Sequence, residues 1–292
     1  MSASRSLLPA AMLLVGLPGG AVLAQEGVRA REAVRAQEAI TLADDPFQIT
    51  DPRPTPPGEA SVTLVGAYDR AATGRVRDTF GAETAFSLGV APNLDLRFGQ
   101  TGAYGNLDTR RRLGTVGVDE GGGAATGDRA ALGGTTRIGA LYQLNRESDA
   151  LPNVGVVGRV RALYGPGEPA YEAEAVALFG KTLIGGERPL GVSLNVGVVS
   201  RFDPRPDERP TRTILNASIG QAISRDTALV ATYAREQQGR GEEDFSLIQA
   251  GIRHRLRDQG AIVGLAAGFG LNRDTPAFQL ALGVQWELGG SR

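Results

Sequence analysis

The sequence predicts an all-β protein: an antiparallel transmembrane up-and-down β-barrel of about 12 strands behind a short N-terminal arm. Three observations predict it. From residue 59 onward apolar residues alternate with polar or tiny ones in segment after segment, the period of a strand with one greasy and one wet face. The connections between these segments alternate between short and long. Glycine stands at 41 of 292 positions with no collagen-like triplet, a composition suited to turns and tight β packing and unsuited to a helical bundle.

Taken in order, the chain starts with Arg5 and an apolar run from Leu7 to Leu23, interrupted by Pro9 and Pro18. Val22-Leu23-Ala24 before Gln25 is the small-residue pattern that a signal peptidase accepts, so residues 1–24 are expected to be a cleaved secretory signal. The prolines and glycines in the run make it a poor spanning helix. Residues 25–58 form the expected arm, either periplasmic or entering the lumen. Its first part, with Val28, Val34 and Ile40 as larger apolar positions, suits a short helix with a thin apolar face. Pro46, Pro52, Pro54, Pro56 and Pro57 allow neither helix nor central strand to continue.

Residues 59–292 form the expected barrel. The clearest strand is the last: Phe278, Leu280, Leu282, Val284, Trp286 and Leu288 share one face, opposed by Gln279, Ala281, Gly283, Gln285 and Glu287. Before it Val263, Leu265, Ala267, Phe269 and Leu271 oppose Gly264, Ala266, Gly268 and Gly270. Ile248, Ala250, Ile252 and Leu256 likewise oppose Gln249, Gly251, Arg253 and Arg255. Further segments start near Thr227, Thr213, Leu190, Tyr171, Asn153, Thr135, Leu94, Phe80 and Ser61, an even total of 12. Short turns are expected at 91–93, 184–188, 224–226 and 257–260, with a somewhat longer one at 146–152. Segments 71–79, 105–130, 202–210 and 236–243 make the longer series, although 165–170 and 272–276 are short. A first strand leaving the periplasm puts the long series outside and brings the last strand back. A soluble β-sandwich also alternates, with core in and water out, but one uninterrupted meander with a small inward face fits closure around a lumen better. Tyr68, Tyr104, Tyr142, Tyr164, Phe86, Phe98, Phe179, Tyr233 and Trp286 fall near strand ends or on apolar faces, where an interfacial girdle needs them.

Phe47-Gln48-Ile49-Thr50-Asp51-Pro52 leading into Ser61–Tyr68, Gly127-Asp128 ahead of the segment at Thr135, and the closing Gly283-Val284-Gln285-Trp286 carry a resemblance. The chain resembles, over most of residues 47–288, the outer-membrane barrel family named for the MetA pathway of phenol degradation. It departs from that pattern in having proline, not a glycine-rich run, after the Thr50-Asp51 pair, and in continuing 6 residues past Trp286. The resemblance implies a small barrel transporter in the outer membrane of a Gram-negative bacterium. It implies apolar or aromatic solutes only loosely, because fold does not fix function.

Composition removes whole classes of chemistry. There is no cysteine, His254 is the single histidine, and Lys181 is the one lysine among 31 basic residues against 32 acids. Disulfides, thiolate or histidine metal centres and cysteine nucleophiles are therefore excluded, and a net charge of -1 gives no nucleic-acid footprint. Neither a cofactor nor a metal is expected. Asp119, Glu120 and Asp128 in the longest loop lack EF-hand spacing, and Arg110-Arg111-Arg112 with Gly121–Gly123 reads as solvated loop. His254 falls on the lipid face near the periplasmic end, the wrong depth for outer-leaflet phospholipase chemistry, so no catalytic residue is assigned.

The inward faces carry the candidate lumen residues: Arg97, Arg137, Arg159, Arg161, Arg201, Arg212, Arg253 and Arg255 with Glu83, Asp95, Glu172, Glu174 and Glu287. Such charges either create a transverse field that selects solutes, with a weak anion preference, or form salt bridges that fill and stiffen a narrow barrel. Two functions follow as expectations. The first is passive passage of small solutes through an outer-membrane channel, with membrane lipid and solutes as partners. The second is a non-conducting structural or interaction barrel, its lumen plugged by residues 25–58 or by charge pairs and its outer loops binding a partner.

Overall fold

The computed structural model describes residues 40–107, 129–165, 169–204, 208–256 and 260–289. The expected signal at 1–24, the start of the arm and the loop residues from Arg110 to Asp128 lie outside the described residues. The strands are β1 (Ala60–Arg70), β2 (Asp78–Ala91), β3 (Leu94–Gly105), β4 (Ala131–Asn145), β5 (Asn153–Tyr164) and β6 (Ala170–Ile184). They continue as β7 (Leu190–Phe202), β8 (Thr211–Ala222), β9 (Thr227–Glu236), β10 (Phe245–Leu256), β11 (Ala261–Gly270) and β12 (Phe278–Leu288). All pair antiparallel with their chain neighbours, and β1 closes on β12, from Ala60 opposite Leu288 to Arg70 opposite Phe278. Closure leaves no edge strand.

Alternation fixes which side chains point where. The outward face is apolar around the barrel: Leu64, Phe98, Ile138, Val160, Val196, Ile219, Leu229, Ile252, Leu265 and Leu282 are all exposed there. Aromatic residues crowd the end with the long connections, where Tyr68, Phe80, Phe269 and Phe278 make a chain of tilted ring contacts with centroids 5.3–6.5 Å apart. Lys181 is outward too, but its Nζ reaches back to the turn at the other end, donating to the Ser148 carbonyl at 2.6 Å. His254 is outward, with Nδ1 2.9 Å from Thr227 Oγ1.

Every register shift lies at the short-turn end, between Gly89 and Ala91, Gln143 and Asn145, and Thr182 and Ile184. Each bends a strand as it enters its turn. The strands begin up to a few residues earlier than the alternation indicates, at Ala131 where Thr135 was expected, because Ala131-Leu132-Gly133-Gly134 carries too few large side chains to display a period.

The inward face departs from expectation in one respect. Small and charged residues do line it, but Leu141, Val157, Val176, Leu178, Val199 and Ile214 also point inward from β4 to β8 and form one buried apolar cluster. Along β5 and β6 the interior is therefore tiered: Gly155 and Gly180 near the short-turn end, then Val157 and Leu178, then Arg159, Arg161, Glu174 and Glu172.

Candidate functional site

The interior of the barrel is the candidate site, and residues 40–58 lie within it. This segment enters beside the β8–β9 turn, where Ile40 N donates to the Arg225 carbonyl at 3.0 Å, and leaves at β2, where Gly58 N donates to the Gly89 carbonyl at 2.9 Å. Between these points it crosses the short-turn half of the lumen. Phe47, Ile49 and Ala43 pack with Val230, Ala266 and Ala281 from the wall, while Ile40 packs with Ala228 and Ile262.

Glycine makes this crossing possible. Gly264 and Gly283 are cross-strand partners, and a Cβ added to them would lie 2.3 Å and 3.3 Å from Pro46. Gly191 and Gly220 are cross-strand partners as well, and their added Cβ atoms would lie 3.0 Å and 2.7 Å from Leu42. Pro52 rests in the same way on Gly155 and Gly180, at 3.0 Å and 3.3 Å, and the Pro56 carbonyl sits over Gly89. The small inward residues are the seats on which successive apolar groups of the arm rest.

Polar contacts fasten it. Arg253, wholly buried, donates from Nη1 to the Thr41 carbonyl at 3.0 Å, to Thr41 Oγ1 at 2.8 Å and to the Ala43 carbonyl, while its Nη2 donates to Gln285 Oε1 at 3.1 Å. Gln48 N donates to Gln249 Oε1 at 3.1 Å; Gln249 Nε2 passes a bond to Gln279 Oε1, and Gln279 Nε2 to Asp69 Oδ1, both at 2.7 Å. Thr55 N donates to Asp95 Oδ2 at 3.0 Å. Within the arm, Asp44 accepts from Asp51 N at 3.0 Å, and Asp51 holds Arg53 at 2.8 Å. Burial, with Asp51 alongside, pushes the Asp44 carboxyl up to about 6. Burial acts on Asp51 in the same sense, yet the Arg53 guanidinium wins and holds that carboxyl below its usual range.

The charged residues fall into two groups. Toward the long-loop end, Glu172 accepts from Arg161 Nη2 at 2.6 Å and Arg212 Nη2 at 2.5 Å, and lies 4.0 Å from Arg201. Arg201 in turn holds Glu208 at 3.0 Å, Arg212 approaches Glu236 at 3.7 Å, and Arg161 approaches Glu174 at 3.5 Å. All of these but the half-buried Arg201 are buried, as a dense network of paired ions in a confined space requires. Nearer the arm, Arg97 pairs with Asp95 at 2.9 Å, Arg137 with Glu83, and Arg159 with Glu174 at 3.1 Å. Arg253 stands apart from both groups on the far wall, occupied with the arm. Arg255, one inward position on, is half-buried near the rim, and Glu287 is exposed there.

Sequence reasoning missed several members of this site. Glu208 and Glu236 sit at strand and loop ends, where period gives no direction. Gln249 and Gln279 are inward by alternation but carry no formal charge to single them out, and Asp69 lies one residue beyond the Ser61–Tyr68 segment, although β1 continues to Arg70. The arm's carboxylates lie in no periodic segment, so only the structure shows what they face.

No protein-family model matches the sequence, and no curated protein is significantly similar to it. Solved structures do match. The COG4313 outer membrane channel from Pseudomonas putida F1 superposes with a TM-score of 0.53 at 15% identity, over 84% of this chain and 100% of that one. The translocator domain of the autotransporter NalP from Neisseria meningitidis gives 0.49 at 10% identity over 91% and 97%, and a KdgM porin 0.46 at 9% over 77% and 98%. At these identities the likeness to the first is one of fold alone, a closed antiparallel β-barrel.

Proposed function

We propose that the chain is an outer-membrane channel for small solutes, closed in this conformation by residues 40–58. One observation carries the membrane reading: the closed barrel is inside out, apolar over its outward face and charged within. In water that arrangement leaves a continuous apolar belt exposed; in a bilayer it satisfies every backbone group and puts the charges in the lumen. The fold of the COG4313 channel and the resemblance to the MetA-pathway family support the same reading, and signal cleavage after residue 24 and passage of apolar or aromatic compounds belong to it.

Ile138 tests it. This side chain is outward near the middle of β4 and 52% exposed. Ile138→Arg puts a guanidinium in the hydrocarbon, and reversible unfolding from lipid vesicles should show a loss of about 2–4 kcal/mol. A soluble barrel would tolerate arginine at this exposed site, so an unchanged midpoint contradicts the membrane reading.

The arm favours a second reading, a permanently plugged barrel that acts through its outer loops. The two readings differ in whether the arm ever leaves. Solute-driven swelling of liposomes carrying the chain supports the channel, and its absence supports the plugged barrel.

A further inference from the structure

We propose that the lumen wall is a binding groove for extended peptides, which the arm occupies as a tethered ligand, and that short peptides in trans bind the same groove when the arm leaves it. This rests on the channel reading and names the solute class it would serve.

The wall meets the arm through its main chain. Asn195, its amide oriented to suit both groups, accepts from Thr50 N at 2.8 Å and donates to the Thr50 carbonyl at 3.2 Å, the pair of bonds that a neighbouring strand would make. Gln249 Oε1 accepts from Gln48 N at 3.1 Å, and Asp95 Oδ2 from Thr55 N at 3.0 Å. Arg253 donates to the carbonyls of Thr41 and Ala43. These main-chain contacts run from residue 41 to residue 55 and come from β3, β7 and β10. Asp44 and Asp51, by contrast, direct their carboxylates to partners within the arm, Asp51 N and Arg53.

Between the polar contacts lie seats that ask only for an apolar group of modest size. Paired glycines on adjoining strands receive Leu42, Pro46 and Pro52, and Phe47 and Ile49 pack on small and aliphatic wall residues. Hydrogen bonds to main chain for affinity, with pockets for side chains at intervals, are the means by which sheets take up extended peptides. A groove that reads main chain and apolar bulk does not depend on this one sequence.

The same wall holds more peptide-type groups than the arm uses. Asn216 lies opposite Asn195 in the strand register, and Ser218 lies opposite Thr232, which is itself opposite Gln249. Asn216 and Ser218 are 0% and 7% exposed, yet neither the Asn216 amide nor the Ser218 hydroxyl has a hydrogen-bond partner among the described residues. Buried polar groups left unpaired are costly. A peptide lying across β7 to β9 brings N–H and C=O groups to both side chains, which the arm, held by Asn195 and Gln249 on either side of them, does not.

Fluorescence anisotropy of a labelled peptide with the sequence of residues 41–52, titrated with the folded full chain in detergent, tests this. Phe47→Asp puts a charge into the contact with Val230, Ala266 and Ala281 and so unseats the arm while leaving the wall unaltered; Ile49→Asp serves where that chain fails to fold. The peptide should bind the Phe47→Asp chain at least about tenfold more tightly than the unaltered chain, whose tethered arm competes at high effective concentration. Serine in place of the peptide's three aspartates should change its binding by less than about threefold, because the wall reads main chain and not these charges. Methylating the peptide nitrogens that correspond to Gln48 and Thr50 should weaken binding by at least about tenfold, and so should Asn195→Ala in the Phe47→Asp chain. Equal affinity for methylated and unmethylated peptides, a larger loss on removing the aspartates, or no binding to either folded arm variant overturns the proposal. A barrel that binds in the expected pattern yet conducts nothing leaves the peptide groove standing and removes the channel reading; one that conducts without the pattern does the reverse.

Discussion

Oxidation of a Pro52→Cys, Gly155→Cys variant should abolish solute flux through vesicles carrying the chain, and reduction should restore it. The added Cβ at Gly155 would lie 3.3 Å from Pro52 Cβ, a few tenths of an ångström inside the separation that disulfides prefer. Because the chain has no cysteine of its own, the two introduced thiols can pair only with each other. Pro52 is in the middle of the arm, so a bond there pins the segment across the lumen while leaving the barrel wall, closed by its own strand ladders, untouched. A channel that opens by release of the arm loses flux completely on oxidation. One that conducts around a static arm keeps it.

The opposite change is expected from Arg253→Ala. Arg253 gives the arm three hydrogen bonds from a buried guanidinium, to both oxygens of Thr41 and to the Ala43 carbonyl. Hydrogen bonds from a charged group are worth roughly 1.5–3 kcal/mol each, and they are not additive on one side chain. A loss of about 3 kcal/mol is a conservative figure, and it moves the balance between seated and released arm about a hundredfold toward release. The outward face does not involve the Arg253 side chain, and the ladders to Ala228 and Gly264 use only its backbone, so the folded barrel should persist. Two readings check this together: open time in bilayer recordings rises, and limited proteolysis cuts within residues 40–58 while the barrel stays intact. A rise in neither, with a folded barrel, means that Arg253 does not hold the segment.

How far the sequence could be read depended on the kind of force involved. Strand number, order and facing were legible because alternation reports directly which side chains meet lipid, and Phe278 to Leu288 displays it without a break. The ends of β4 were not, since Ala131-Leu132-Gly133-Gly134 has little contrast between faces. The inward glycines were legible as small, but not as seats: that Gly264 and Gly283 meet across two strands under Pro46 is a fact of register. For the same reason the inward charges could be enumerated while their pairing could not. Arg161 and Arg212 converge on Glu172 from strands whose order the sequence suggested but whose offset it did not. The apolar patch from Leu141 to Ile214 ran against the expectation of a small polar lumen, because in β5 and β6 both faces carry branched aliphatic residues and alternation loses its contrast.

The most direct measurement is single-channel recording of the chain from residue 25 onward in a planar bilayer, after its heat-modifiable mobility has shown it to be folded. The account predicts a mostly closed barrel with discrete openings, more frequent in Arg253→Ala and absent from the oxidised Pro52→Cys, Gly155→Cys pair. A constantly open pore, indifferent to both changes, or silence from every folded variant, would contradict it.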